Sequence, residues 1–310
     1  RLRIMIISAS RRTDIPAYYS EWLVNRLRAG FVLTRNPMNH ARVSRITLSP
    51  DVVDCLVLWT KDPQNMLDKL DIIDRLGYKY YFQFTITPYD QSIERGLRDK
   101  EEIIKTFRRL SERIGKEKVL WRYDPVILND RFDQAYHQEQ FKRFCGRLCG
   151  FTDSCTVSFA DIYPKLRTDI LREIGVDEMA ELGEMISTDA KDFGIAVKAC
   201  CEETLLSKCG IGQAHCIDRG LIEKICGCGL DIKRDRNQRA TCGCFESVDI
   251  GAYNTCGNGC VYCYANYSRA SAENNLKRHN PESGLLIGDI GDNDKITERR
   301  ASSNKACRLF

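Results

Sequence analysis

The sequence predicts an α/β protein built as a parallel-stranded barrel or partial, TIM-like barrel. Three observations carry this expectation. Six short apolar, β-branched runs alternate with helical patterns between residues 2 and 199, and buried parallel strands read as continuous apolar runs joined by helical crossovers. No G-x-G-x-x-G or Walker motif follows any of these runs, which disfavours the nucleotide-binding sheets. Polar residues recur where nearly every run ends, and such folds build their sites at the C-terminal ends of their strands.

The first run, 2–10 (LRIMIISAS), is a buried strand. Met5 is read as the natural start, with residues 1–4 a leader or expression remnant. Pro16 opens a helix through Tyr18, Trp22, Leu23 and Leu27 that Gly30 ends. Residues 31–50 read as a loop with a short strand near 43–48. The second strand, 51–59 (DVVDCLVLW), leads to a helix from Pro63 carrying Met66, Leu67, Leu70, Ile73 and Leu76, closed by Gly77. The third strand is 80–87 (YYFQFTIT), followed by a helix over 100–114 with Ile103, Ile104, Phe107 and Leu110 on one face. The fourth is 119–123 (VLWRY), followed by an amphipathic helix over 133–149. The fifth is 155–159 (CTVSF). A helix over 176–193 precedes the sixth, 195–199 (IAVKA). Residues 246–253 (ESVDIGAY) are a seventh strand candidate, 266–277 read as helical, 281–295 as a loop, and the tail from 296 as polar and mobile. The expected organisation is thus strands and helices over 1–199, a Cys-rich metal-binding insertion over 200–245, a closing strand and cysteine loop over 246–290, and a mobile tail over 291–310.

The strand ends carry Ser8, Ser10, Arg11, Arg12 and Asp14; Thr60 and Lys61; Thr85, Thr87 and Tyr89; Arg122 and Asp124; Ser158 and Asp161; and Lys198, Glu202 and Glu203. Singly, each reads as a cap or a solvated loop residue. Their recurrence marks one shared mouth, with Lys61, Arg122, Asp124 and Asp161 as candidate catalytic residues. Arg122 lies between Trp121 and Tyr123 on an apolar strand, and a buried arginine calls for an anionic partner. Asp124 or a neighbouring strand is the internal option.

Sixteen cysteines in 310 residues are the outlying count. Only four precede residue 200, and eleven crowd into 200–263. No signal peptide opens the chain and no apolar run approaches a membrane span. The expectation is a cytoplasmic protein whose cysteines serve metal or redox chemistry rather than disulfides. The net charge of +4 gives no bulk field for nucleic acid.

Cys256, Cys260 and Cys263 form a C-x3-C-x2-C loop with two glycines, followed by Tyr264. Three thiolates can hold one face of a cluster and leave a corner open. In 200–245, Cys201, Cys216, Cys242 and Cys244 are a candidate second set. Cys226-Gly-Cys228 and Cys242-Gly-Cys244 are paired across glycine, which lets thiolates turn toward one centre. Four thiolates suit either zinc or a [4Fe-4S] cluster. Both metals, and other choices among the eight cysteines of the segment, stay open.

The C-x3-C-x2-C loop with its aromatic resembles the motif of radical S-adenosylmethionine enzymes. Much of the chain also resembles the domain-of-unknown-function family 1848, through SASRRTDIPAYYSEW, RNPMN, TLSPDVVDCLVLWTK, YYFQFTITPY, WRYDPVI, SFADIYPK and DIGAYNTCGNGCVYCYAN. The first resemblance implies a [4Fe-4S] cluster on the three cysteines, S-adenosylmethionine on the open iron, and radical chemistry on a small-molecule or unidentified substrate. An electron donor such as flavodoxin or ferredoxin is implied with it. Two departures stand out: the motif comes after six strands, and no glycine-glycine-glutamate segment follows. A circularly permuted barrel reconciles the order, with 246–253 pairing beside 2–10. Ser8, Arg11, Arg12, Asp14 and Tyr264 then become candidate cofactor contacts. The alternatives are a non-catalytic zinc or Fe–S module, and a nucleic-acid modification or repair enzyme of the photoproduct-lyase type using a basic groove of Arg11, Arg12, Arg35, Arg42 and Arg45.

Overall fold

The computed structural model describes residues 5–163 and 169–299, and for residues 203 and 204 the backbone alone. The expectations placed on residues 1–4, on the Glu203 side chain and on the tail from 300 lie outside the described residues. The strands are β1 (Ile6–Ala9), β2 (Phe31–Asn36), β3 (Asn39–Thr47), β4 (Cys55–Thr60), β5 (Tyr80–Thr85), β6 (Val119–Val126), β7 (Ser154–Phe159), β8 (Ala196–Ala199), β9 (Gly212–Gln213), β10 (Val248–Asp249) and β11 (Lys295–Arg299). The helices are α1 (Ile15–Tyr18), α2 (Ser20–Ala29), α3 (Leu70–Arg75), α4 (Lys100–Ile114), α5 (Gln134–Leu148), α6 (Val176–Asp192), α7 (Glu203–Leu206), α8 (Arg219–Cys226) and α9 (Arg269–Arg278).

Eight strands form one all-parallel sheet in the order β10-β1-β4-β5-β6-β7-β8-β9. β10 and β9 are its edges, so among the described residues the ladder is an open, partial barrel. The late strand does lie beside the first: Ile7 sits opposite Val248, and Ser8 opposite Asp249. Only two residues of the expected 246–253 strand pair.

The pleat sends alternate side chains to two cores. Leu56, Leu58, Phe82, Phe84, Trp121 and Tyr123 face the helices, where the Trp121 ring stacks on Phe141 at 5.0 Å. Ile6, Cys55, Val57 and Tyr81 face the other way and pack on Ile217, Ile222, Leu230 and Ile232. The Cys-rich segment therefore covers the inner face of the sheet and is part of its core. Tyr81 and Gln83 anchor it by donating to the Cys216 carbonyl at 2.7 and 2.8 Å.

Local chemistry explains most boundaries. Asp99, Asp133 and Asp218 cap α4, α5 and α8 through backbone N–H groups at 2.9, 2.7 and 3.0 Å. Gly30 ends α2 in the left-handed conformation, φ 73°. Four expectations are corrected. The helix from Pro16 breaks into α1 and α2 at Tyr19, whose backbone caps both. The helix after Pro63 begins as a 3-10 turn, Gln64–Lys69, before α3. Residues 31–47 form a hairpin, β2 with β3, closed by Asn36 Oδ1 accepting from the Met38 and Asn39 N–H groups. β11 pairs in parallel with β3, so 295–299 belong to this second, three-stranded sheet and not to a mobile tail. No described helix is long and apolar enough to cross a membrane.

Candidate functional site: two thiol sets around one cavity

A cavity of about 490 Å³ opens at the C-terminal ends of the strands. It is lined from both cysteine regions: Cys256, Cys260 and Cys263 on one side, Cys200, Cys201, Cys216, Cys242 and Cys244 on the other.

The C-x3-C-x2-C loop is held by backbone contacts that need its glycines. Gly96 N–H donates to the Asn258 carbonyl at 2.8 Å and Val261 N–H to the Ile93 carbonyl at 3.0 Å. A Cβ on Gly96 would lie 2.1 Å from the Gly257 oxygen, and a Cβ on Gly257 would lie 2.5 Å from the Tyr18 ring. Tyr18 donates to Asn258 Oδ1 at 3.0 Å. Asn258 Nδ2 in turn donates to Asp14 at 3.1 Å. Glu94, wholly buried, stands behind the loop. It takes Lys61 Nζ at 2.8 Å and Thr87 Oγ1 at 2.7 Å, and also binds Lys100 and Tyr262. Burial opposes its charge, but Lys61 and Lys100 hold its carboxyl down, to about 2.

The three thiols are pushed up by burial; neighbouring negative groups add to this for Cys256, and Lys61 partly offsets it for Cys260, which still reaches about 12. Bare thiolates are thus unfavourable here, whereas thiolates bound to a cationic iron core are not. Three cysteines on one cavity wall are the donor type that a cluster would need. Among the described residues no group of three or more His, Cys, Asp or Glu side chains is placed to hold a single metal ion.

The second set forms a chain of thiol contacts, Cys201–Cys200–Cys216–Cys244–Cys242, with the Cys200 and Cys201 sulfurs 3.9 Å apart. Hydrogen bonding from Cys200 lowers the Cys201 thiol below its ordinary value, and from Cys244 the Cys242 thiol to about 7. Cys200 and Cys216 are pushed up in turn, so the low thiols of this set are Cys201 and Cys242. Cys200 was not in the expected set; its apolar position at the end of β8 hid it. The two Cys-Gly-Cys pairs have different fates. Gly243 keeps the cavity pair against the His215 ring, 2.6 Å from where a Cβ would be. Gly227 is the left-handed C-cap of α8, and Cys226 donates to the Asp54 carbonyl at 3.1 Å, away from the cavity.

The candidate polar residues separate into bound and available. Asp249, missed in the sequence, organises the end of β1. It accepts from Ser10 Oγ at 2.6 Å, Arg11 N–H at 2.9 Å, Arg12 at 2.9 and 3.1 Å, and Gly251 N–H at 2.9 Å. Burial opposes its charge, but Arg12 and these donors leave its carboxyl below the ordinary value. Ser8 stays within the strand, bonded to Asp249 at 3.3 Å and accepting from Trp59 at 3.0 Å. Asp14 caps α1 through the Ala17 N–H at 3.0 Å and accepts the Lys61 N–H at 2.7 Å, so its oxygens tie loops together. Lys61 is paired with Glu94 and does not stand as a free base. Arg122 has the anionic partner its burial called for, Asp124, and also donates to Cys216 Sγ at 2.7 Å. Asp161 pairs with Arg239 at 2.5 Å. Tyr264 donates to the Arg11 carbonyl at 2.9 Å. Arg35 and Arg45 pair with Asp294 and Glu298 at 2.5 and 3.0 Å, so two of the three hairpin arginines of the expected basic groove are ion-paired.

Fold and site together define an α/β protein with two thiol sets facing one cavity at the strand ends of an open parallel barrel. The chain belongs to the DUF1848 family, described as a domain of unknown function, which matches residues 6–265. No curated protein matches it. Solved structures with remote likeness include a candidate alpha-L-fucosidase from Bacteroides thetaiotaomicron, 11% identical over 68% of this chain and 74% of that one, TM-score 0.34. A monomeric dihydrodipicolinate synthase variant is 12% identical over 68% of each chain, TM-score 0.30. A multifunctional pyruvate carboxylase from Rhizobium etli is 10% identical over 93% of this chain and 29% of that one, TM-score 0.38. At these scores they carry nothing for site or chemistry.

Proposed function

We propose that this chain is a radical S-adenosylmethionine enzyme, with a [4Fe-4S] cluster on Cys256, Cys260 and Cys263 and a second centre, a [4Fe-4S] cluster or zinc, drawn from Cys200, Cys201, Cys216, Cys242 and Cys244. The observation that carries this reading is the placement of both thiol sets on one cavity at the strand ends. When bound, the cluster would supply the electron that cleaves S-adenosylmethionine to a hydrogen-abstracting radical. The remaining work falls to the chain. Asn258, Tyr18 and Gly96 fix the cluster loop. Lys61 sets a positive charge beside Cys260. Arg122 does the same for Cys216. Trp59 and Tyr264 supply aromatic surface to the cavity. Asp124 and Asp161 line it, each held by an arginine. Flavodoxin or ferredoxin is the matching electron donor.

The test is anaerobic reconstitution with iron and sulfide counting, then dithionite and S-adenosylmethionine with assay for 5′-deoxyadenosine. The Cys256→Ala/Cys260→Ala/Cys263→Ala protein is expected to hold about four fewer irons per chain and to form no 5′-deoxyadenosine. An unchanged iron count removes the assignment.

A further inference from the structure

Among the described residues, the cavity is lined by five cationic side chains: Arg11, Arg12, Lys61, Arg122 and Arg239. Four are ion-paired, to Asp249, Glu94, Asp124 and Asp161 respectively. Arg11 is not. Its Nη2 is buried without a hydrogen-bond partner.

The position of Arg11 is imposed. Its N–H is bound by Asp249 at 2.9 Å and its carbonyl by the Tyr264 hydroxyl at 2.9 Å. The guanidinium lies over the Trp59 ring, 5.1 Å from its centroid. The Arg122 guanidinium is at the same distance from that ring, but its hydrogen bonds go to Asp124 and Cys216. Two residues on, Thr13 Oγ1 is also buried without a partner, and Thr13 also lines the cavity. A guanidinium does not give up its proton; Asp249 and the cavity cysteines Cys216, Cys242 and Cys244 offset the burial of this one, but its Nη2 is left without a hydrogen bond. The turn thus holds a fixed cation and a hydroxyl, each short of a hydrogen bond, at one cavity wall.

We propose that Arg11, with Thr13, is the oxyanion anchor of the cavity and takes a carboxylate or phosphate group of a small molecule held between the two thiol sets. The planar fork of arginine matches either group through paired N–H donors. The oxyanion is carried either by the methionine end of S-adenosylmethionine or by the substrate. The anchor belongs to the same cavity as the proposed chemistry, yet its test needs neither iron nor turnover.

The full chain, Arg11→Gln and Arg11→Lys are titrated calorimetrically with inorganic phosphate, S-adenosylhomocysteine and the decarboxylated analogue of S-adenosylhomocysteine. Arg11→Gln is expected to weaken an oxyanion-bearing probe roughly 10- to 100-fold, and Arg11→Lys less. Without probe, Arg11→Lys should unfold close to the parent, because the positive charge is kept and no ion pair is lost, whereas Arg11→Gln also gives up the cation over Trp59. A loss confined to S-adenosylhomocysteine, with its decarboxylated analogue unaffected, assigns the anchor to the cofactor. A loss for phosphate assigns it to the substrate. Equal affinities in all three proteins, or no binding by the parent, overturns the proposal. A protein that shows the phosphate loss but takes up no iron would refute the radical reading alone.

Discussion

Arg122 donates to the sulfur of Cys216 at 2.7 Å. This contact joins a strand of the parallel sheet to the segment that covers its inner face. It gives Arg122 a role in holding the second thiol set: a cation that offsets thiolate charge. Such outer partners of a metal centre commonly alter its affinity by 10- to 100-fold when removed. Arg122→Gln is therefore expected to lower metal retention at the second set by about 10- to 100-fold, with the iron on Cys256, Cys260 and Cys263 kept. Metal counting in Arg122→Gln, with and without the triple alanine change, separates the two centres.

Gly96→Ala is expected to displace the cluster loop, since its Cβ would meet the Gly257 oxygen at 2.1 Å and a backbone oxygen cannot turn aside. The cost should be about 1–3 kcal/mol, read as a lower urea midpoint, together with loss of iron at the first centre. Gly150→Ala, where nothing lies within 4 Å but φ is +81°, separates backbone strain from the collision and should keep its iron.

Glu94 sets an acid limit. Its folded value, about 2, lies below the ordinary 4.5, so its contribution is fully present above pH 4.5 and is lost as pH falls toward 2. In Glu94→Gln, Lys61 and Lys100 lose their buried partner, a change expected to cost about 3–5 kcal/mol at neutral pH. The difference in unfolding free energy between parent and variant should shrink steadily from pH 4.5 downward. A difference that stays constant between pH 7 and 3 would refute this account.

Asp249→Asn keeps the shape of the β1 clasp but removes its charge. It should destabilise the chain by about 2–3 kcal/mol, because Arg12 and the Arg11 and Gly251 N–H groups are left with a weaker acceptor. Arg12→Gln should reproduce part of that loss, and the double variant should be less destabilised than the sum. Denaturant midpoints for the three proteins test the coupling.

The strands were legible because they are buried on both faces. CLVLWT and YYFQFT read as apolar runs whatever lies around them. The β2–β3 hairpin was not: residues 39–42 are exposed and polar, and only the turn residues Asn36 and Asn39 announced it. The cavity cysteines were legible as a group by their crowding, but the partition was not. Two identical Cys-Gly-Cys pairs part company because one glycine ends a helix and the other lies against His215, and neither relation is local in sequence. Several of the polar strand ends meet at one cavity, but the sequence overstated how many of them are free. Ion pairing across loops, as between Lys61 and Glu94 or Asp161 and Arg239, decides that, and it depends on the fold. Asp249 sits on a two-residue strand and looked like any surface aspartate.

The pairing of β1 with β10 sets an order on synthesis. Ser8 and Asp249 are 241 positions apart, and translation at 5–20 residues per second puts roughly 10–50 s between them. During that interval the first strand has one neighbour and an open edge, and the turn bearing Arg11 lacks the carboxylate that shapes it. The Cys-rich segment emerges before the strand that completes the sheet beside it. Cys200 to Cys244 are thus made before Asp249 and the three-cysteine loop, so the cavity lined by both regions forms only once residue 263 has been added, and a chain stopped between residues 245 and 255 should lack it.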